Sequence, residues 1–234
     1  MQHLGFLESE AVVTVHMLRY HPRGGGLASL PHLEFIDGRV DQICLVDETP
    51  EIGLSSKKIE NQKRATYLLG RPVLPERVPT KLAWMSKGSP DDYFTPRAFP
   101  CVSDTFRKLI ERLEPNVHQF FPLEVLNRRD EHIVNCWLWV VCQRIDSLDR
   151  AETTMVLYNN AVWLSPAVVY AKQDDADKYK NIKAKIVFNS SQIAGRHFWR
   201  DSFLMDGLWC SSAAAELIQK AGLVGTKLIP QETV

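Results

Sequence analysis

Cys136-Trp137-Leu138-Trp139-Val140-Val141-Cys142 is the longest wholly apolar run in the chain. At the two-residue period of a strand, Trp137 and Trp139 fall on one face and Leu138 and Val140 on the other. A strand that is apolar on both faces must be central and covered on each side. Seven residues are also far too few for a membrane-spanning helix, which needs ~20.

Working upstream, Asn127-Arg128-Arg129-Asp130 reads as a polar turn and Phe120–Leu126 as the strand before it. Pro115-Asn116 ends a helix that Ser103 caps and whose Phe106, Leu109, Ile110 and Leu113 recur at helical spacing. Downstream, Thr153–Leu157, Ala184–Phe188 and Phe198–Arg200 are strand segments. Ser211 or Ser212 then opens a second amphipathic helix. Gly222 is placed for the left-handed position that ends it, and Thr226–Ile229 is a last strand.

The first hundred residues are less regular. Val12–Leu18, Leu33–Ile36 and Ile43–Val46 read as strands, with one short helix around Lys58–Tyr67. Pro22-Arg23-Gly24-Gly25-Gly26 is a loop, and the prolines between Arg71 and Cys101 cut that stretch into short extended pieces. Strands outnumber helices without βαβ alternation, so the fold class is α+β, with a mixed or mainly antiparallel sheet and few helices. The organisation reads as an irregular β-rich region over 1–100 and an α+β core over 101–234, a division compatible with one continuous domain.

With 28 basic and 28 acidic side chains the formal net charge is zero, which argues against a dedicated nucleic-acid binder. Zero hides opposed blocks. Six acidic residues (Glu34, Asp37, Asp41, Asp47, Glu48, Glu51) face only Arg39 in residues 34–51, a local net of −5. Residues 57–87 hold eight basic side chains against Glu60 and Glu76, a local net of +6. The segment before Arg19 lacks the basic start of a secretion signal, and five scattered cysteines form no CxxC pair. A cytoplasmic protein with reduced thiols is therefore expected.

The established chemical signatures are missing: no phosphate-binding GxxxxGK loop, no GxGxxG, no GxSxG elbow, no HExxH pair. The His3, His16, His21, His32 and Cys44 spacing matches no zinc module, so neither metal nor cofactor is expected. His118 reads as a buried, hydrogen-bonded turn histidine. Gly195-Arg196-His197-Phe198 is the most pointed cluster. A catalytic reading makes His197 the base, Asp201 its orienting carboxylate and Arg196 an anion clamp, with His118 and Glu124 as a second candidate pair. The structural reading, which we favour, gives Gly195 a turn, Arg196 a fork-type pair with a carboxylate, and His197 and Phe198 the start of a strand.

Four stretches carry a family resemblance. They are Val102-Ser103-Asp104 before the first helix, the segment from Leu113 through Glu114, His118, Phe120, Phe121 and Pro122 to Val125, the stretch Trp139–Arg150, and Gly195-Arg196-His197-Phe198-Trp199-Arg200 with the helix after it. In order and spacing they resemble immunity family eleven of bacterial polymorphic-toxin systems over about residues 75–230. Asn116 stands where the family commonly has glycine, a change a left-handed turn tolerates.

The resemblance implies a cytosolic antitoxin that binds the C-terminal domain of a cognate toxin. The toxin would be a nuclease delivered by type VI or contact-dependent secretion, and neither nucleic acid nor membrane would be a partner. A toxin surface must vary with the toxin, so His118, Phe120, Phe121, Pro122, Gly195, Arg196, His197 and Phe198 read as scaffold. The acidic residues Glu34, Asp37, Asp41, Asp47, Glu48 and Glu51, with Asp174, Asp175 and Asp177 in the Val162–Ile186 segment, are the expected partner surface. A hydrolase or nuclease, and a self-associating regulatory protein or homo-oligomer, are the competing readings.

Overall fold

The computed structural model describes residues 15–23, 32–54, 63–170, 182–204 and 207–234. Residues 12–14, 24–26 and 58–62, and with them Asp174, Asp175 and Asp177, lie outside the described residues.

Two six-stranded sheets organise the chain. One runs in the order β2 (Leu33–Phe35), β3 (Lys81–Trp84), β6 (Gln119–Leu126), β7 (His132–Val140), β5 (Cys101–Val102) and β4 (Tyr93–Phe94). The other runs β11 (Val187–Phe188), β14 (Thr226–Thr233), β1 (Val15–Tyr20), β13 (Trp209–Ser211), β12 (Phe198–Asp201) and β8 (Arg144–Ile145). A small hairpin pairs β9 (Val156–Tyr158) with β10 (Val162–Leu164). Pairing is mainly antiparallel, with parallel contacts at β3–β6, β12–β8 and β11–β14. The fold is α+β with mixed sheets, as the sequence pattern requires. Both sheets draw strands from either side of residue 100: β1 lies between β13 and β14, and β3 lies beside β6.

β7 is interior to its sheet, between β6 and β5. Its two faces feed two cores. Cys136, Leu138 and Val140 pack with Leu82, Leu123, Val125, Phe94 and Phe99. Trp137 and Trp139 pack with Phe106, Ile110, Phe198, Cys210 and Ile218. This second core receives the helices. α1 (Asp104–Leu113) is capped by Ser103, whose side chain accepts the Phe106 N–H, and it buries Phe106, Leu109 and Ile110. α2 (Ser212–Lys220) is capped in the same way by Ser211 through Ala214. α1 lies on β5 and β7, α2 on β1 and β13, and the helices touch each other. A third core, around Trp199, Trp209 and Phe188, covers the other face of the second sheet.

Four sequence expectations change. The strand expected over residues 184–188 begins only at Val187. Residues 43–46 do not form a strand but make one bridge, Leu45 to Val73. The opposite segment holds Pro72 and Pro75, which have no N–H to extend a ladder. The short helix is a 3₁₀ segment, Lys63–Leu68, interrupted at Ala65. The strand expected over residues 153–157 begins only at Val156, because the Thr153 side chain bonds both the N–H and the C=O of Val187.

Candidate functional site

Asn116 adopts φ +61° just beyond α1, turning the chain so that His118 folds back on Glu114. The Glu114 side chain is only 5% exposed and the His118 ring is fully buried. A carboxylate taken from water at such a cost needs several donors. Glu114 has four. His118 Nε2 lies 2.7 Å from Oε2, which also accepts the Phe198 N–H at 3.2 Å. Oε1 accepts the His197 N–H at 2.6 Å and the Gln143 side-chain amide at 2.5 Å. Burial opposes the charge, but the bonds from His118, His197 and Gln143 outweigh it and hold the carboxyl below its usual range.

The tautomer of His118 follows from its other nitrogen. Nδ1 accepts the Cys142 N–H at 3.1 Å, so the ring proton sits on Nε2 and is donated to Glu114. The ring is wedged edge-on between Trp139 and Phe198. Its neighbours in sequence are equally committed. Gln119 bonds both backbone groups of Val73 through its amide. Phe120 stacks on Trp139, Phe121 packs against the first core, and Pro122 stands opposite Trp137 in the ladder. Two segments about 80 residues apart in sequence, around His118 and His197, thus meet on one buried carboxylate. In the sequence, the one local sign of this role for Glu114 is its spacing of four residues from His118 at a helix end.

The candidate catalytic sets are not assembled. The His197 ring bonds Ser211 Oγ at 2.9 Å through Nδ1. Asp201, 2% exposed, accepts Ser147 N–H and Oγ–H and the Phe203 and Leu204 N–H groups. Arg196 makes no carboxylate fork among the described residues; its Nη1 donates to the Gln192 carbonyl of the single helical turn Ser190–Ile193. Glu124 lies 3.9 Å from Lys81, whereas His118 is held by Glu114. Among the described residues, no three His, Cys, Asp or Glu side chains gather to hold a metal ion, and no helix is long and apolar enough to cross a membrane.

The acidic stretch divides into used and open carboxylates. Asp37 accepts the Thr80 and Lys81 N–H groups and the Thr80 hydroxyl, closing the turn onto β3. Asp41 pairs with Arg39. Asp47 and Glu51 flank Arg71 at 3.6 and 3.4 Å, and Arg71 also donates to the Thr49 carbonyl at 2.7 Å. Glu34 and Glu48 are exposed and form no ion pair among the described residues. Beside this loop is an open cleft of about 380 Å³, lined among others by Val46, Asp47, Glu51, Arg71, Cys142 and Arg144. Arg144 donates to the carbonyls of Leu69 and Ser202, and burial pushes its guanidinium down to about 10. The sequence reading missed Arg71 and Arg144 because nothing in a charge count separates a buried arginine from a solvated one.

Compared with known proteins, residues 35–233 match the model of the Immunity protein family (Imm11). No curated protein matches the chain.

Proposed function

The chain belongs to the Immunity protein family (Imm11), and on that premise we propose that it is an antitoxin that neutralises a nuclease toxin by stoichiometric binding. Membership points to an antitoxin role and a toxin partner. The finer reading is ours: a toxin delivered by type VI or contact-dependent secretion, captured in the cytoplasm by occlusion rather than by catalysis, with neither nucleic acid nor membrane as partner. The family match over most of the chain carries the proposal. The site geometry agrees with it, since the histidines that could have served a hydrolase are buried or engaged with Glu114 and Ser211.

In this reading the toxin meets the acidic face, where open carboxylates steer a basic partner and speed its association. The test is co-expression with candidate nuclease-type toxin C-terminal domains, beginning with any encoded next to this gene. Growth rescue with co-purification at a fixed stoichiometry is expected. Protection without a complex would overturn inhibition by binding, and a partner domain with no nuclease activity would overturn the choice of toxin.

A further inference from the structure

We propose that the loop from Val46 to Ile52, wound around the buried Arg71 guanidinium, is the centre of the partner interface, with Val46 and Ile52 as apolar anchors and Glu48 and Glu51 as the charges beside them. This rests on the antitoxin reading and gives it a surface. The occupant is a polypeptide face of the toxin that carries apolar side chains within a basic rim.

The loop has no regular secondary structure, yet it is held at named points. The Arg71 side chain is 7% exposed and reaches three residues of the loop: Asp47, Thr49 and Glu51. Asp47 accepts the Thr49 N–H with one oxygen and lies 3.6 Å from Arg71 with the other, its side chain still largely exposed. Glu51 gives Oε1 to Arg71 and turns half its side-chain surface to solvent. Backbone bonds fix the loop's entrance, from Val46 N–H to the Pro72 carbonyl and from Leu74 N–H to the Cys44 carbonyl. The loop is therefore pre-organised, which lowers the ordering cost of binding.

What it displays is unusual for a solvated turn. Val46 is 58% exposed and Ile52 69%, the latter the most exposed large apolar side chain among the described residues. Leu74, tied to the base of the loop, is also exposed. Apolar side chains held out on one loop and bordered by carboxylates offer a partner apolar area to cover beside charges that fix its sign. The carboxylates select the sign of the partner: Glu48 is exposed, and Glu51 Oε2 makes no bond among the described residues, so a lysine or arginine on the partner completes the pairing. The cleft alongside, with Val46, Asp47 and Glu51 on its rim, leaves room for one side chain of the partner. Arg71 is a positioning residue here, acting through the loop.

The test uses the full chain and the toxin domain that it neutralises in co-expression. V46S/I52S should weaken binding at least about tenfold, mainly through faster dissociation, with the thermal midpoint unchanged. E48K/E51K should slow association and flatten its salt dependence. R71K keeps the charge but loses the fork, so amide exchange over residues 46–52 should rise and the penalty of V46S/I52S should shrink. V117S/V234S, which alters exposed apolar residues outside the acidic stretch and the 162–186 segment, should bind normally. Normal binding by V46S/I52S, when the wild-type chain binds, overturns this surface and leaves the antitoxin reading standing. A wild-type chain that binds no toxin overturns both.

Discussion

Replacing Glu114 by glutamine separates a carboxylate that organises the fold from one that merely fits it. Each oxygen of Glu114 accepts two donors: Gln143 Nε2 and the His197 N–H on one, His118 Nε2 and the Phe198 N–H on the other. Glutamine keeps one oxygen and presents an NH₂ to the other pair, whichever way the amide is turned. His118 cannot compensate by moving its proton, because Nδ1 would then lose the Cys142 N–H. Turned toward His118 the amide leaves two donors unpaired; turned toward Gln143 it leaves one, the His197 N–H, because the Gln143 amide can rotate to accept. At about 1–3 kcal/mol per unpaired donor, E114Q should cost about 2 kcal/mol or more, a fall of at least about 4–8 °C in Tm for a chain of this size. Thermal and urea unfolding at neutral pH measure it. The sign of the pH dependence is fixed as well. The folded-state value of Glu114 is depressed, so its contribution is full above the unfolded value near 4.5 and is lost as pH falls through the folded value. The gap between wild type and E114Q should therefore close on acidification below about pH 4.5. A loss under about 1 kcal/mol at neutral pH, or a gap that widens in acid, would refute the argument.

Three further outcomes are expected. H118A orphans the Cys142 N–H and opens a cavity between Trp139 and Phe198, so it should cost about 3 kcal/mol or more. H197A should cost only about 1 kcal/mol, because the bond from His197 to Glu114 comes from its backbone; the reverse ranking in urea unfolding would count against this geometry. G225A should be the harsher of two glycine changes. Gly225 has φ +84° and an added Cβ would sit 2.2 Å from the Tyr93 carbonyl, whereas Gly195, at φ +77°, has open space. Backbone strain alone should cost G195A about 1–2 kcal/mol, and G225A clearly more by differential scanning calorimetry. Finally, we propose that the chain folds as one unit. Fragment 101–234 lacks β1 and β3 and should show no cooperative unfolding or dispersed amide spectrum until fragment 1–100 is added; independent folding of either piece would show otherwise.

The elements legible in the sequence were those whose partners are local or whose pattern is saturated. The helix from Asp104 was readable because Ser103, Phe106, Leu109 and Ile110 state both its cap and its face. β7 was readable because a two-faced apolar run has one stable place in a sheet. Residues 43–46 misled for the opposite reason: Ile43 and Leu45 are buried and alternate with exposed neighbours, but whether alternation becomes a ladder depends on a partner 30 residues away, and that partner contains prolines. The hub was only half legible. His118 reads as a buried turn histidine from its own neighbourhood, while the meeting of Glu114 with the His197 and Phe198 N–H groups is a long-range event that no local spacing encodes.

The same physics revises what the charge blocks mean. Counted along the chain, residues 34–51 and 57–87 are opposed reservoirs of charge, each available to a partner. In space they are partly spent on one another. Arg71 of the basic block lies between Asp47 and Glu51 of the acidic one, Asp37 is consumed by the Thr80–Lys81 turn, and Asp41 is answered by Arg39. Of six acidic side chains, Glu34, Glu48 and the outer oxygen of Glu51 remain open among the described residues. Exposed charges of this number adjust association rates more than they hold a complex together. Lasting inhibition then requires buried apolar area, and on the acidic loop that area comes from Val46 and Ile52. An electrostatic search of the sequence leads to the loop proposed above, but the side chains expected to set residence time there are the two that carry no charge.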